Sequence, residues 1–227
     1  MGVLWSLLNP LCTMIVLSIV FSNLFKSDVE NFPLYIMGGQ VIFNFYSEAT
    51  SNAMTSIIGN ASLIKKAYIP KYLFVLSRIF SSAVNVMASF AAFIGIMLVL
   101  RADMHYTLVL AFVPIILTTV FSAGVGLILA TYAVKFRDII HIYGVFITAL
   151  LYLTPIIYPM NMLPDFIRKI VLLNPITNLV EMFRAVAING MVFSWQSLIV
   201  AIIECGFVML VGLYVFYKKQ DTFILNI

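Results

Sequence analysis

The polar side chains best suited to chemistry recur at every fourth position in the first quarter of the chain. The row comprises Gln40, Asn44, Glu48 and Asn52. Residues four apart on a helix lie on neighbouring turns, so the sequence predicts that these groups share one face. A matching row of polar residues follows at Arg78, Ser82, Asn85 and Ser89. Amides, hydroxyls and one carboxylate can hydrogen-bond a polar ligand, but they do not form a catalytic acid–base pair.

Two interpretations of these rows stay open at the level of sequence. Polar side chains on facing membrane helices can hydrogen-bond across the interface and serve only to join the helices. Alternatively, a costly intramembrane acid such as Glu48 faces a cavity or a partner, which favours a hydrophilic lining for a polar substrate. In the second interpretation Glu48 and Arg78 are candidates for an ion pair.

Aromatic residues make up 14% of the chain, and several lie close to the first polar row. Aromatic faces stack on sugar rings, so a path for a glycan is one interpretation of these positions. The candidates for such a path are Tyr35, Phe43, Tyr46 and Tyr152. An aromatic belt at the membrane surface, or ordinary packing, is the interpretation favoured for any one of them taken alone.

The sequence lacks the common catalytic and nucleotide-binding motifs. It has no Gly-x-x-x-x-Gly-Lys phosphate loop, and neither His105 nor His141 lies in a His-Glu-x-x-His motif. Cys12 and Cys205 lie in apolar runs, where they are expected to pack as small hydrophobic residues. We therefore expect no metal, no cofactor and no enzymatic activity in this chain. The small net charge of +4 also argues against a nucleic-acid partner.

Composition places these residues in a membrane. Hydrophobic residues occupy 63% of the 227 positions and charged residues only 10%, whereas a soluble domain carries about 25% charge. The apolar runs lack the alternation of β-barrel strands and are long enough to cross the hydrocarbon core as helices. The sequence therefore predicts an all-α integral membrane protein in which residues 1–227 form a single transmembrane domain.

Six spans are predicted from the apolar runs. Their limits are Val3–Phe25, Pro33–Ile58, Tyr72–Leu100, Thr107–Val134, Ile139–Tyr158 and Ser197–Tyr217. Lys and Arg concentrate on the cytoplasmic side of membrane proteins, and this bias predicts that both termini are cytoplasmic. The cytoplasmic side then collects Lys65, Lys66, Lys71, Lys135, Arg137, Lys218 and Lys219.

The segment between the fifth and sixth spans is interrupted by Pro164, Asn174-Pro175 and Asn189-Gly190. A residue before proline is pushed out of the α region, so a helix is expected to stop near Leu173. The two pieces, Asp165–Leu173 and Ile176–Ile188, are each too short to span. They predict a re-entrant helical hairpin in the outer leaflet, with a surface-lying amphipathic loop as the alternative. Within it, Glu181 and Arg184 are three apart and predict a local ion pair.

Two short charged segments are predicted to dock on a soluble partner. The first contributes Leu63, Lys65, Lys66, Tyr68, Ile69 and Pro70. The second contributes Lys135, Phe136, Arg137 and Asp138. Anchoring by positive charge alone explains the Lys and Arg residues but not the interleaved Tyr68, Ile69 and Phe136.

In combination, these elements resemble the membrane subunits of type-2 ABC exporters for O-antigen, capsule and teichoic-acid polymers. The resemblance rests on segments in a fixed order, each weakly specific alone. They are Gly2–Pro10, Leu63–Pro70, Phe136–Ile139, Pro155–Tyr158, Pro164 and Leu173–Pro175. Members of this family usually carry a basic amphipathic helix before the first span, whereas this sequence begins at Met1-Gly2, already at the membrane.

The resemblance implies a homodimer of six-span subunits in the bacterial cytoplasmic membrane, with outer re-entrant helices. It implies two copies of a separate ATP-binding subunit, which hold the ATP and Mg²⁺. The implied cargo is a lipid-linked polysaccharide or polyol-phosphate polymer, and membrane lipids surround the dimer. An exporter of drugs or lipids with the same fold is the alternative. A membrane-embedded enzyme or a secondary transporter is disfavoured, because neither a catalytic cluster nor an inverted repeat is evident.

Overall fold

The computed structural model describes residues 11–17, 19–20, 31–66 and 69–223, and the regular elements in these ranges are all helical. Helix α1 is described at residues 11–17 and 19–20. The helices that follow are α2 (Phe32–Gly59), α3 (Ala61–Lys66), α4 (Tyr72–Val99), α5 (Phe112–Lys135), α6 (Ile139–Leu153), α7 (Asp165–Leu172), α8 (Pro175–Ala187) and α9 (Trp195–Lys219). A 3-10 turn, Tyr106–Ala111, leads directly into α5.

The predicted limits of the second, third and sixth spans lie within two residues of the ends of α2, α4 and α9, and those of the fourth span match α5 together with the 3-10 turn before it, Tyr106–Lys135. Helix α6, which corresponds to the fifth predicted span, is shorter than predicted and ends at Leu153 rather than near Tyr158. The cause is Pro155, because the residue before it, Thr154, takes an extended conformation with φ −95° and ψ 134°. Most of the first predicted span, Val3–Phe25, lies outside the described residues.

Three helical segments in the described ranges are long and apolar enough to cross a membrane. They are Tyr72–Val99, Tyr106–Lys135 and Trp195–Thr222. Helices α7 and α8 meet at a bend of 90° and become a fourth segment only if they are taken as one broken span. The 28 residues of α2 cover about 42 Å at 1.5 Å per residue, enough to span, but its polar row lowers its hydropathy. Helix α6 is apolar but has only 15 residues.

The break between α7 and α8 falls where proline predicts it. Asn174 has an extended ψ of 116° before Pro175, and its side chain caps α8 by accepting a hydrogen bond from the backbone N–H of Ile176 at 3.1 Å. At the other end of α8, Gly190 has a positive φ of 64°, a conformation that glycine adopts without steric cost. The segment is therefore divided into two short helices at the position that the sequence predicts.

Helix α2 is the central element of the bundle, and it packs against α4, α5 and α8. Its apolar side chains and those of α8 form the larger core cluster, which includes Phe43, Tyr46, Leu179 and Phe183. A second cluster lies at the C-terminal end of α2, where Ile57 packs with Ile64, Val134 and Phe216. Both docking segments therefore lie at the same end of the bundle.

Helices α5 and α9 approach each other most closely at two glycines. The backbone of Gly212 on α9 lies directly against that of Gly124 on α5. Small residues allow membrane helices to pack backbone to backbone, which maximises their van der Waals contact. Large apolar side chains such as Phe80, Val145 and Phe207 instead point outward and are exposed. An apolar exterior of this kind suits lipid, so this is a multi-pass membrane protein.

Candidate functional site

The polar row of α2 is divided between the core and the surface. Asn44, Glu48 and Asn52 are exposed, whereas Gln40 is buried, with 4% of its surface accessible. The split follows from helix geometry, because a step of four residues turns the helix by about 400° and each position drifts about 40°. Gln40 and Asn52 consequently point about 120° apart. The candidate surface in this structure is the face that carries Asn44, Glu48 and Asn52.

Glu48 is joined to the second polar row on α4. Its Oε1 accepts hydrogen bonds from Asn85 Nδ2 at 2.7 Å and from Ser82 Oγ at 3.2 Å. Asn52 Nδ2 donates to Ser82 Oγ at 3.3 Å, so the four residues form one network between the helices. No ion pair joins Glu48 to Arg78 in the described part of the chain, because the Glu48 carboxylate is instead hydrogen-bonded to Ser82 and Asn85, about one and two turns further along α4.

The two interpretations of the polar rows describe different parts of this network. Ser82 is fully buried and joins α2 to α4, as interhelical hydrogen bonds do. Asn44, Glu48 and Asn52 remain exposed beside it. An exposed carboxylate in the middle of an apolar bundle needs a cavity, a partner or a polar ligand to face. This α2 face is therefore the candidate surface for a polar substrate.

The four aromatic candidates do not lie together. Phe43 and Tyr46 are buried in the core, and the Tyr46 ring packs 5.6 Å from that of Phe121. Tyr143 on α6 donates a hydrogen bond to Thr50 Oγ1 at 2.7 Å, beside Tyr46. Tyr152 is exposed near the end of α6, and Tyr35 is half-buried at the start of α2. In this conformation packing accounts for Phe43 and Tyr46, while Tyr152 is accessible to a ligand.

Arg184 on α8 makes contacts that the sequence pattern did not reveal. Its Nη1 lies 2.9 Å from Glu181 Oε1, which confirms the predicted local ion pair. The guanidinium also donates to the carbonyl oxygens of Tyr35, Pro155 and Ile156 at 2.6–3.2 Å. It lies over the Tyr35 ring, 3.5 Å from its centroid, and only 2% of the residue is accessible. We call these five residues the Arg184 cluster.

Two further hydrogen bonds surround the Arg184 cluster. The Tyr35 hydroxyl donates to the carbonyl oxygen of Tyr158 at 3.2 Å, and Asn174 Nδ2 donates to Thr154 Oγ1 at 3.0 Å. Together they connect the start of α2, the segment after α6 and the α7–α8 pair. The sequence signal that could have found this site is the arginine itself, because a buried cation requires several partners.

The first docking segment has one face in the bundle and one face in solvent. Ile64 is buried in the second core cluster, which fixes α3 against the bundle. Leu63 is 45% accessible, and Lys65, Lys66 and Pro70 are also exposed. Ile69 is half-buried, and Tyr68 lies outside the described residues. The segment therefore presents apolar and basic side chains side by side at the surface.

The second docking segment is fully exposed. Lys135, Phe136, Arg137 and Asp138 all lie at the surface between α5 and α6. Phe136 is 51% accessible, and the Nζ atom of Lys135 lies 5.2 Å from the centre of its ring. An exposed aromatic ring in a two-helix connection offers apolar area to a protein surface.

Comparison with known proteins adds a family and several relatives. A family model described as ABC-2 type transporter matches residues 1–188. The O-antigen export system permease protein RfbA of Klebsiella pneumoniae is 26% identical over 226 residues, covering 98% of this chain and 86% of that protein. The polysialic acid transport protein KpsM of Escherichia coli is 20% identical over 228 residues, covering 98% and 87%. The inner membrane transport permease YadH of Escherichia coli (strain K12) is 25% identical over 195 residues, covering 79% and 74%.

Proposed function

Since this chain belongs to the ABC-2 type transporter family of membrane proteins, we propose that it is the permease subunit of an ABC exporter for a lipid-linked polysaccharide or polyol-phosphate polymer. The observation that carries the choice of cargo is the similarity to RfbA and KpsM over 98% of the chain. An exporter of drugs or lipids with the same fold is the second candidate, because the chain is also similar over 79% of its length to the permease YadH, whose name specifies no cargo.

The polar face of α2 supports a polar cargo. A glycan offers many hydroxyl groups, and Asn44, Glu48 and Asn52 offer amide and carboxylate groups at successive turns of one helix. The cargo path would be completed by Tyr152 and by a second copy of the chain facing the first. Gln40, Tyr35, Phe43 and Tyr46 would support this surface from within the bundle.

The proposed assembly is a homodimer in the bacterial cytoplasmic membrane, with two copies of an ATP-binding subunit beneath it. Each permease subunit would cross the membrane six times, with α2 and α6 as spans, α7 and α8 as a re-entrant hairpin, and both termini in the cytoplasm. ATP and Mg²⁺ would be held by the partner, because the chain has no phosphate loop. The permease would therefore carry no ATPase activity of its own.

Mechanistically, the partner would push on the two docking segments when its ATP sites close. The segment that contains α3 connects α2 to α4, and Lys135–Asp138 connects α5 to α6. A displacement at this end would tilt those helices as rigid rods, because each has a continuous hydrogen-bond ladder. The facing α2 surfaces of the two subunits would then separate and admit the polymer.

The experiment that tests the function is export by the purified complex. Leu63→Ala combined with Phe136→Ala is expected to lower the affinity for the ATP-binding subunit about tenfold. Each truncation removes an exposed apolar side chain that contributes about 1 kcal/mol or less, and a tenfold change in affinity corresponds to about 1.4 kcal/mol. ATP-dependent polymer uptake into inverted vesicles should fall in parallel. Phe166→Ala is the matched control, since this exposed phenylalanine lies on α7, away from the docking segments. Unchanged affinity and uptake in the double variant would contradict the docking proposal.

Membrane topology is tested by labelling single cysteines in sealed vesicles, in a background that lacks Cys12 and Cys205. We expect a cysteine at Lys66 to react only from the cytoplasmic side and a cysteine at Asp103 only from the outer side. Both positions are exposed, so lack of reaction on one side reports the membrane rather than burial. Reaction of both positions from the outer side would contradict the six-span arrangement.

A further inference from the structure

Each docking segment adjoins one helix whose opposite end reaches the Arg184 cluster. Helix α2 ends at Gly59, directly before α3, and it begins near Tyr35, about 36 Å away at 1.5 Å per residue. Helix α6 begins at Ile139, directly after Lys135–Asp138, and ends at Leu153, directly before the segment that contains Pro155 and Ile156. Helices α2 and α6 therefore each connect a docking segment to the Arg184 side chain.

The guanidinium of Arg184 donates hydrogen bonds both to the start of α2 and to the segment that follows α6. Nε and Nη2 donate to the carbonyl oxygen of Tyr35 at 3.2 and 3.0 Å. Nη1 donates to the carbonyl oxygen of Pro155 at 2.6 Å, and Nη2 also donates to that of Ile156 at 3.1 Å. The planar fork of arginine presents these donors in fixed directions, whereas the point charge of lysine cannot. A shift of either helix end must therefore move Arg184 or break a charge-assisted hydrogen bond.

Arg184 is also held firmly in α8, so a displacement of its guanidinium moves that helix. Glu181 accepts from Arg184 Nη1 at 2.9 Å one turn earlier on α8. The neighbouring residues Phe183, Val186 and Ala187 are buried in the larger core cluster. Arg184 itself is 98% inaccessible, which excludes the water that would otherwise compete for its partners.

We infer that Arg184 is the positioning residue that transmits movement of α2 and α6 to the α7–α8 pair during transport. This inference rests on the proposed export function. Arg184 does not need to touch the cargo in this role. It sets where α7 and α8 lie when the docking segments are displaced at the opposite end of the bundle.

Adjacent glycines on α2 provide a matched pair of variants. The Cβ of Gly39→Ala would lie 2.7 Å from Arg184 Nη2 and 3.2 Å from Ile156 Cγ2, so Nη2, which donates to the carbonyl oxygens of Tyr35 and Ile156, must shift. The Cβ of Gly38→Ala would approach Ile188 Cδ1 at 3.2 Å, Arg184 Cγ at 3.6 Å and Phe183 Cδ1 at 3.7 Å, and the end of the Ile188 side chain can yield. Alanine is a better helix former than glycine in both places, so both variants are expected to fold.

The test is the ratio of ATP hydrolysed to polymer exported by the reconstituted complex. Gly39→Ala is expected to keep partner binding and ATP hydrolysis while export falls about tenfold, the loss expected for one charge-assisted hydrogen bond. Gly38→Ala should keep the wild-type ratio. Arg184→Lys keeps the charge but not the fork, and we expect it to uncouple export in the same way.

A distance measurement separates transmission from a merely structural role. Spin labels at Phe166 on α7 and Val99 at the end of α4, both exposed positions, report movement of the hairpin. In a background without Cys12 and Cys205, nucleotide binding by the partner should change this distance in Gly38→Ala and leave it unchanged in Gly39→Ala. Wild-type coupling and a wild-type distance change in Gly39→Ala or in folded Arg184→Lys would overturn the inference. Failure of the wild-type complex to export polymer would instead overturn the proposed function.

Discussion

Gly212→Ala is expected to lower the melting temperature of the purified protein by about 2–12 °C, because overpacking typically costs about 1–3 kcal/mol and a domain of this size shifts by about 2–4 °C per kcal/mol. The added Cβ would collide with the backbone carbonyl oxygen of Gly124. Gly124→Ala has the reciprocal problem, since its Cβ would lie 2.6 Å from the backbone nitrogen of Met209. Neither collision can be relieved by rotating a side chain, so α5 and α9 must separate.

The control is Gly206, the other glycine of α9. Gly206 has no atom within 4 Å of the position that a Cβ would take, so Gly206→Ala adds a methyl group into open space. It should leave the melting temperature unchanged or raise it slightly, because alanine favours helix. Thermal unfolding of the three variants in the same detergent gives the comparison. Equal melting temperatures for Gly212→Ala and Gly206→Ala would contradict the backbone contact between α5 and α9.

Glu48→Leu is expected to reduce polymer export at least about tenfold, because it removes the charged acceptor of a hydrogen bond and leaves a polar donor beside an apolar side chain. Asn85 Nδ2 and Ser82 Oγ both lose their carboxylate partner in this variant. The exposed face of α2 also changes from polar to apolar at its middle position. Export by reconstituted vesicles and detergent stability of the subunit are measured together.

Ser82→Ala distinguishes a substrate lining from an interhelical contact. Ser82 is fully buried and takes part in the same network, but it contributes nothing to the exposed face. If Glu48 lines the path, Ser82→Ala should keep export close to the wild-type level, because Asn85 Nδ2 still donates to the Glu48 carboxylate and the exposed face of α2 is unchanged. If the network only joins α2 to α4, both Glu48→Leu and Ser82→Ala should lower the stability of the subunit. Export should then fall only as much as the amount of folded protein falls. Full export by Glu48→Leu would remove this residue from the site.

Helix positions follow largely from local sequence, and the reason is energetic. Backbone groups in a membrane must be satisfied within their own segment, so an apolar run of about 20 residues has few choices other than helix. Proline then sets the breaks, as before Pro155 and before Pro175. The Glu181–Arg184 ion pair is equally local, because a spacing of three residues places both side chains on one helix face.

The composition of the α2 face required the structure, because four-residue spacing predicts a common face only over a few turns. Gln40 drifts into the core while Asn44, Glu48 and Asn52 stay at the surface. Burial of Phe43 and Tyr46 likewise depends on α5, α6 and α8, none of which is near them in sequence. Hydrophobic patterning alone does not distinguish an aromatic side chain that packs in the core from one that faces a ligand.

By itself, the sequence determined that this chain is a membrane-embedded helical protein without a phosphate loop, with two charged segments suited to a partner. Tertiary structure alone decided which distant groups meet: Glu48 with Asn85, Gly124 with Gly212, and Arg184 with three carbonyl oxygens on two other segments. The physical reason is that spacing along one helix fixes only neighbours on that helix. Every residue has the same backbone carbonyl group, so a sequence does not indicate which carbonyl oxygens accept hydrogen bonds from a buried arginine.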